Sequence, residues 1–379
     1  MWINRYLEDK ILQDYLKKGI VLVLYGPRRT GKTSLVKKIL EQFKGKVYSG
    51  SGDDIRLREI LSSEDLNRII QSFRGYDLIF IDEAQRIPNA GESLKIIVDH
   101  LPEAMIIATG SSSFQLSHQL GEPLTGRQTV HTLYPVSVME LEKKEGRMGI
   151  IQKLNDLLIF GGYPEVLTAE GYSSRIEYLM ELRNSYLLKD ILELENLRNA
   201  EKINDLLKLL AFQIGQEVSL NELSKALGIA KQTVERYIDL LGKTFIIKKI
   251  GGFSRNLRKE ITKTARYYFY DNGIRNAVIN NFNDLTSRQD QGMLWENFCV
   301  SERLKFQGYR RIFSNNYFWR TYEGHEIDWV EDREGKLFGY EFKWREGKSR
   351  KSQALWQSAY PGAAYEFVSP ENFLAFTGI

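Results

Sequence analysis

The sequence predicts an α/β protein whose first part is a doubly wound parallel sheet, and three observations support this. Short apolar runs at 20–25, 78–81 and 104–108 have the composition of strands buried on both faces. Segments such as 34–43 show the apolar spacing of helices between them. Each run is followed by glycine or polar residues. Strands and helices that alternate in this way form parallel sheets.

The first apolar run leads into the glycine-rich turn GPRRTGKT, which has the pattern G-x-x-x-x-G-K-T between a strand and a helix. Such a turn directs backbone N–H groups at one point, where the helix N-terminus adds partial positive charge. Lys32 is then placed to reach the β- and γ-phosphates of a nucleotide, and Thr33 to bind Mg²⁺. The predicted phosphate-binding residues are Gly26, Pro27, Arg28, Arg29, Thr30, Gly31, Lys32, Thr33 and Ser34.

The second apolar run, in YDLIFIDEAQ, ends in two adjacent acids, Asp82 and Glu83. An acid at the end of a central strand in a P-loop fold holds Mg²⁺, which assigns Asp82 to the metal together with Thr33. Glu83 follows directly and is placed to polarise the attacking water, as a catalytic residue beside Lys32. No guanine-binding N-K-x-D pattern occurs in the sequence, so ATP is favoured over GTP.

Two further positions each have two interpretations. The third run is followed by Thr109–Gly110–Ser111, where Ser111 either contacts the γ-phosphate or caps the next helix. Arg127, in LTGR, is either a catalytic arginine finger or a surface side chain. A finger can act on the nucleotide of its own chain or of a neighbour, and the second case requires a homo-oligomer.

Length and composition limit the class of protein. A chain of 379 residues predicts two or three domains. No apolar stretch reaches 18 residues and the first 19 residues are charged, so neither a membrane span nor a signal peptide is expected. A single cysteine, Cys299, excludes an internal disulfide framework and fits a cytoplasmic protein. The net charge of +4 is too small to indicate a nucleic-acid partner by itself.

Residues 219–241 have the pattern of a helix-turn-helix, with Gly228 at the turn, and FIIKKIGGFSRN predicts a hairpin wing after it. Residues 243–266 contain eight Lys or Arg and one acid, which favours contact with the backbone of double-stranded DNA. A winged helix that serves only packing or protein contacts is the alternative. The predicted DNA contacts are Lys231, Gln232, Arg236, Lys248, Lys249 and Arg255.

The segment GHEIDWVEDREGKLFGYEFKW alternates apolar and polar residues on either side of a turn at Glu334–Gly335. This turn places Asp328 across from Glu341, with Lys343 on the same face of the hairpin. A D…E-x-K set is typical of nucleases in which two carboxylates hold Mg²⁺ and a lysine orients the attacking water. Glu296, in LWENFCVSERL, is the candidate further acid. Ordinary cross-strand pairs of acids with lysine are the alternative.

Together these motifs resemble a prokaryotic family of AAA-type ATPases in which a P-loop domain precedes a winged helix and a restriction-endonuclease-like domain of the PD-(D/E)xK type. The similar pieces include GPRRTGKTSL, LIFIDEAQ, ATGSSS, LTGR, LYPVSVMEL, FGGYPEV, YLLKDIL, YYFYDNGIRNAV and HEIDWV…YEFKW, although Ile327 stands where the motif's name has proline.

The resemblance implies an ATP- and Mg²⁺-dependent ATPase that binds DNA and carries a nuclease-like domain. The alternative is an ATP-dependent regulatory switch whose later domains only dock partners. The implied domains are a P-loop ATPase at 1–145, a helical connecting region at 146–198, a winged helix at 199–265 and a nuclease-like domain at 266–379.

Overall fold

The computed structural model describes residues 2–110, 123–184, 200–254, 264–345 and 350–379. These residues divide into two compact units. The first unit contains residues 2–134 and 243–245, and the second contains residues 135–242 and 246–379. No helix in these ranges is both long enough and apolar enough to cross a bilayer.

The first unit has a parallel sheet with helices between its strands. Its elements are α1 (Tyr6–Lys10), a π-helical turn (Ile11–Tyr15), β1 (Val21–Tyr25), α2 (Lys32–Gln42), β2 (Val47–Ser51), α3 (Ile55–Leu61), α4 (Leu66–Phe73), β3 (Leu78–Asp82), α5 (Ala90–His100), β4 (Met105–Thr109) and β5 (Gln128–Thr132).

The five strands of the first unit pair in the order β2-β3-β4-β1-β5, and every pairing is parallel. This confirms the predicted parallel sheet. Strand β1 lies between β4 and β5, and all five of its side chains are buried, which explains its uninterrupted apolar sequence. Because parallel strands end at the same edge of a sheet, the residues that follow β1, β3 and β4 lie close together.

The second unit combines helices with a mixed sheet. Its elements are α6 (Val138–Gln152), α7 (Leu154–Phe160), α8 (Pro164–Thr168), α9 (Tyr172–Leu182), α10 (Ala200–Phe212), β6 (Glu217–Val218), α11 (Leu220–Leu227), α12 (Lys231–Lys243), β7 (Ile247–Gly252), β8 (Ala265–Phe269), α13 (Asn272–Val278), α14 (Gln291–Arg310), β9 (Asn315–Arg320), β10 (Glu326–Arg333), β11 (Lys336–Phe342), α15 (Arg350–Ala359), β12 (Ala364–Val368) and α16 (Phe373–Phe376).

The sheet of the second unit has the order β12-β11-β10-β9-β7-β8-β6. Strand β7, which lies within the predicted wing, and strand β8 therefore share this sheet with β9–β12. The boundary predicted near residue 265 falls within the sheet. Between α11 and α12, Gly228 adopts a left-handed conformation, as expected for the turn of a helix-turn-helix.

The hairpin of β10 and β11 has the predicted register. Trp329 pairs with Tyr340 and Arg333 with Lys336, so the turn falls at Glu334–Gly335. Both turn residues have positive φ, as a tight two-residue hairpin requires. The prediction of this turn from the sequence is confirmed, and it determines which side chains share a face.

Candidate functional site

Two positions of the turn between β1 and α2 require glycine. Gly26 has a φ of +145°, and a Cβ atom there would lie 2.2 Å from the carbonyl oxygen of Leu133. Gly31, the residue before α2, has a φ of +91°. A side chain at either position would strain the backbone. The two glycines therefore maintain the curvature that brings the turn around a single point.

The Lys32 side chain is buried inside this turn. Its Nζ atom donates hydrogen bonds to the carbonyl oxygens of Gly26 at 2.8 Å and Pro27 at 2.7 Å. Thr30 is fully buried and donates its hydroxyl to the Pro27 carbonyl at 2.9 Å. The ammonium group thus lies at the N-terminus of α2. A phosphate bound there would accept hydrogen bonds from both the lysine and the backbone N–H groups of the helix N-terminus.

The two predicted Mg²⁺ residues are in direct contact. The hydroxyl of Thr33 donates to the Asp82 carboxylate at 2.8 Å. Thr109 donates its hydroxyl to the other carboxylate oxygen of Asp82, and it accepts from the Glu83 N–H at 3.3 Å. Ser111, predicted either to contact the γ-phosphate or to cap a helix, lies outside the described ranges. The signal for Thr109 was present, since it is the polar residue that ends an otherwise apolar strand beside β1 and β3.

Glu83 lies directly after β3 in a left-handed conformation, with a φ of +48°. For a residue with a side chain this conformation costs on the order of 1 kcal/mol. The backbone is held there by close packing, because a Cβ atom on Gly52 would lie 2.3 Å from the Glu83 carbonyl oxygen. The amide of Gln85, which sequence reasoning missed, donates to the Glu83 carboxylate. The predicted water-activating carboxylate is thus held by a neighbour two residues away.

Arg5 is a second residue that sequence reasoning missed. Its guanidinium group is buried and donates to the carbonyl oxygens of Thr30 and Tyr134, both at 2.6 Å. One side chain therefore links the segment before α1, the phosphate-binding turn and the residue that follows β5 by two positions. Hydrogen bonds from a charged donor are stronger than neutral ones, so the contact with the Thr30 carbonyl stabilises the conformation of the phosphate-binding turn.

We expect Arg5→Ala to weaken ATP binding to the turn, because the Thr30 carbonyl loses a charged donor worth about 1.5–3 kcal/mol. A turn that is less well positioned should raise the KM for ATP about ten-fold and change kcat less. Steady-state ATPase kinetics measure the two effects separately. Lys10→Ala, which removes an exposed cation of α1 that pairs with Asp14, is the matched control. Equal KM values for the two variants would contradict this role.

Arg127 lies near the amino-terminal ends of the strands, whereas the phosphate-binding turn lies at their carboxyl-terminal ends. Its carbonyl accepts from the N–H of Val21, the first residue of β1, whereas the turn follows the last residue. The length of β1, about 16 Å at ~3.3 Å per residue, separates the two and exceeds the reach of an arginine side chain. Arg127 instead pairs with Asp99 at 2.8 Å. The structure therefore does not place Arg127 at its own chain's phosphate-binding turn, and its role as an arginine finger stays a prediction.

The predicted nuclease-like residues do come together. Lys343 Nζ lies 3.2 Å from a Glu341 carboxylate oxygen and 4.0 Å from one of Asp328. Asp328 also accepts from the Phe342 N–H at 2.8 Å. Asp328 and Glu341 are buried while Lys343 is partly exposed. The predicted D…E-x-K set therefore shares one face of the β10–β11 hairpin.

A further cation, Arg266, lies within this acidic cluster. Its guanidinium group is 3.5 Å from Asp328 and 3.6 Å from Glu296, and it also pairs with Glu326. Burial, together with the charge of Asp328, raises the pKa of Glu296 to about 8. Burial likewise raises the pKa of Asp328 despite Lys343 and Arg266.

The acids of this cluster are paired with cationic side chains. Across the described ranges, no group of three or more His, Cys, Asp or Glu side chains is arranged to hold a metal ion. The carboxylates of Asp328 and Glu341, predicted as metal ligands, are compensated by Lys343 and Arg266 instead. Pairing with cationic side chains offsets part of the cost of removing these carboxylates from water. The described contacts are those of an ion network, and the nuclease centre stays a prediction.

The predicted DNA contacts fall into two groups. Those on the surface are Lys231, Gln232, Arg236 and Lys249. Lys248 is half-buried, and burial lowers its pKa, while Arg255 lies outside the described residues. The exposed face of α12 also carries Glu235, whose carboxylate lies 3.8 Å from Lys231. This face is thus mixed in charge rather than strongly basic.

Comparison with known proteins identifies the first part of the chain. Residues 18–142 match the AAA domain, residues 151–285 match a domain of unknown function (DUF8612), and residues 291–369 match another (DUF4143). The part that is similar to the AAA domain contains the glycine-rich turn and the strands of the parallel sheet. The other two matches leave the winged-helix and nuclease-like folds as predictions.

Relatives that match most of this chain occur in archaea and bacteria. The uncharacterized protein MJ1544 of Methanocaldococcus jannaschii is 26% identical over 356 residues, which cover 88% of this chain and 76% of that protein. The uncharacterized protein Rv2008c of Mycobacterium tuberculosis is 25% identical over 348 residues, covering 90% and 74%. A solved structure, the Walker-type ATPase PABY2304 of Pyrococcus abyssi, is 17% identical, with a TM-score of 0.49 and coverage of 73% and 96%.

Proposed function

We propose that the chain binds ATP with Mg²⁺ at the turn of residues 26–34 and hydrolyses it, and that it works as a nucleotide-dependent switch. The observation that carries this proposal is the contact between Thr33 and Asp82 beside the buried Lys32. A hydroxyl and a carboxylate at the end of a central strand form an all-oxygen donor set, which suits the hard Mg²⁺ ion. The chemistry of these donors therefore fits the ion that the fold implies.

Each residue of this site has a distinct proposed role. Lys32 and the N–H groups at the start of α2 bind and orient the phosphates. Thr33 and Asp82 would hold Mg²⁺, which neutralises charge that develops on the phosphate oxygens. Glu83 orients and polarises the attacking water once Gln85 releases its carboxylate. Thr109 fixes the position of Asp82 through its hydroxyl.

The switch is preferred to the nuclease because Arg266 and Lys343 compensate the acids of the second unit. Contact with double-stranded DNA remains a second proposal, supported by the exposure of Lys231, Gln232 and Lys249. An ATPase that only transmits its nucleotide state needs no second catalytic centre.

Phosphate release from ATP and from GTP, with Mg²⁺ or with a chelator, tests the proposed ATPase. We expect turnover of ATP that requires Mg²⁺ and that exceeds turnover of GTP. A failure to hydrolyse ATP at any protein concentration, with or without duplex DNA, would reject the proposal. A rate per molecule that rises with protein concentration would indicate the self-association that a trans-acting Arg127 needs, whereas stimulation by duplex DNA would support the second proposal.

For the second unit we expect no carboxylate-dependent metal binding. Titration of the nucleotide-free protein with Mn²⁺ should give the same binding isotherm for wild type and Asp328→Asn, because Asp328 is already paired with cationic side chains. Asp332→Asn, on the same strand, controls for unspecific loss of a carboxylate. Mn²⁺ binding that disappears only in Asp328→Asn, together with metal-dependent DNA cleavage, would restore the nuclease interpretation.

A further inference from the structure

An aromatic cleft of about 480 Å³ lies in the second unit, remote in sequence from the nucleotide-binding turn. It is bordered by the end of β7, by β9 and by the turn after β9. A volume of this size is typical of sites for small organic groups. The aromatic residues that line it are Phe253, Phe318, Trp319, Tyr322 and Tyr360.

Most of these rings are fixed by the core behind the cleft. Trp319 and Tyr360 are buried, and both belong to the cluster that packs against Trp356. The Phe253 ring lies 5.2 Å from that of Tyr360. Tyr322, by contrast, is 93% exposed although it lines the cleft wall. The cleft thus combines a rigid aromatic floor with one large ring that is open to solvent.

Charged groups form the rim of the cleft. Arg320 donates to the Glu217 carboxylate at 2.7 Å, and Thr264 donates to its other oxygen. Burial alone would raise the pKa of Glu217, but these two hydrogen bonds hold it below its ordinary value. The rim therefore presents an ionised acceptor and a guanidinium group with further N–H donors beside an aromatic floor.

This combination suits a flat heterocycle with a polar edge better than an aliphatic group, which would leave the charged rim without polar partners. Nucleobases have this chemistry, since every base has an aromatic face and a hydrogen-bonding edge. In the sequence, residues 255–263 connect the two wall residues Ser254 and Thr264 and contain four Lys or Arg and one acid, a composition that favours a polyanion. Bases in a duplex are already stacked and paired, so the accessible form is a single strand.

We propose that this cleft binds a nucleobase of single-stranded nucleic acid, with Tyr322 as a stacking surface and the Arg320–Glu217 pair at the polar edge of the base. This inference does not depend on the proposed ATPase activity. It also differs from the predicted duplex contact, because it uses aromatic stacking and not the exposed face of α12.

Fluorescence anisotropy with a fluorescein-labelled 20-nucleotide single strand, against the duplex of the same sequence, tests the proposal. We expect the single strand to bind more tightly than the duplex. Tyr322→Ala should weaken single-strand binding about ten-fold, the scale of one lost stacking partner. Phe313→Ala is the matched control, because Phe313 is 81% exposed and does not line the cleft.

Three outcomes would overturn the proposal. Equal affinities for Tyr322→Ala and Phe313→Ala would show that the cleft takes no part in binding. Equal affinities for single strand and duplex would point to backbone contacts alone. Displacement of the strand by adenosine at the same concentration of bases would assign the cleft to free nucleosides instead of a strand. Since Tyr322 is exposed, its replacement should leave the fold intact, which far-UV circular dichroism checks.

Discussion

Lys32→Ala should reduce ATP hydrolysis by about 10³-fold, because it removes the cation that stabilises charge on the transferred phosphate. The buried Nζ atom lies at the centre of the turn, bonded to the carbonyl oxygens of Gly26 and Pro27. Phosphate release and binding of a fluorescent ATP analogue should both fall.

Lys37→Ala provides the matched control for this variant. Lys37 belongs to the same helix, α2, but its side chain is exposed. It should hydrolyse ATP at the rate of the wild type. A Lys32→Ala protein that keeps its far-UV circular dichroism spectrum and turns over ATP normally would reject the assignment of the turn to phosphate binding. Loss of the spectrum would instead indicate a folding defect.

The nucleotide-binding turn could be predicted from the sequence because its determinants are local. Gly26 and Gly31 have the backbone conformations that the motif requires, and Lys32 follows within the same turn. The β10–β11 hairpin was predictable for the same reason, since Glu334–Gly335 sets its register. In both cases a few adjacent residues determine the geometry.

Contacts between distant segments could not be predicted in the same way. Arg5 contacts Thr30 and Tyr134 only because the fold brings these two residues, 25 and 129 positions later in the sequence, next to the segment before α1. In the sequence, Arg266 is the last cation of the basic stretch 243–266. Its position there does not distinguish a DNA contact from a buried residue that pairs with acids. Pairing of β8 with β7 and β6 brings Arg266 beside Glu296 and Asp328. The composition of residues 243–266 thus predicts their positive charge but not which acids Arg266 pairs with.

Glu83→Gln should separate ATP binding from hydrolysis. The substitution keeps the shape of the side chain and removes only its charge, so the carboxylate can no longer polarise water. We expect hydrolysis to fall by about 10²–10⁴-fold, the usual contribution of a general base. Binding of ATP should change little, because Lys32, Thr33 and Asp82 are untouched. Phosphate release and equilibrium binding of a fluorescent ATP analogue measure the two quantities independently.

Gln85→Ala tests the same carboxylate from the opposite direction. In the structure the Gln85 amide donates to Glu83, so the carboxylate must leave this partner to reach a water molecule. Removal of the amide should therefore leave hydrolysis unchanged or increase it, while Glu83→Gln slows it by the factor given above. If Glu83→Gln weakens ATP binding as strongly as it slows hydrolysis, Glu83 serves the bound nucleotide and not the water. If Gln85→Ala is as slow as Glu83→Gln, the contact orients Glu83 for catalysis and does not restrain it.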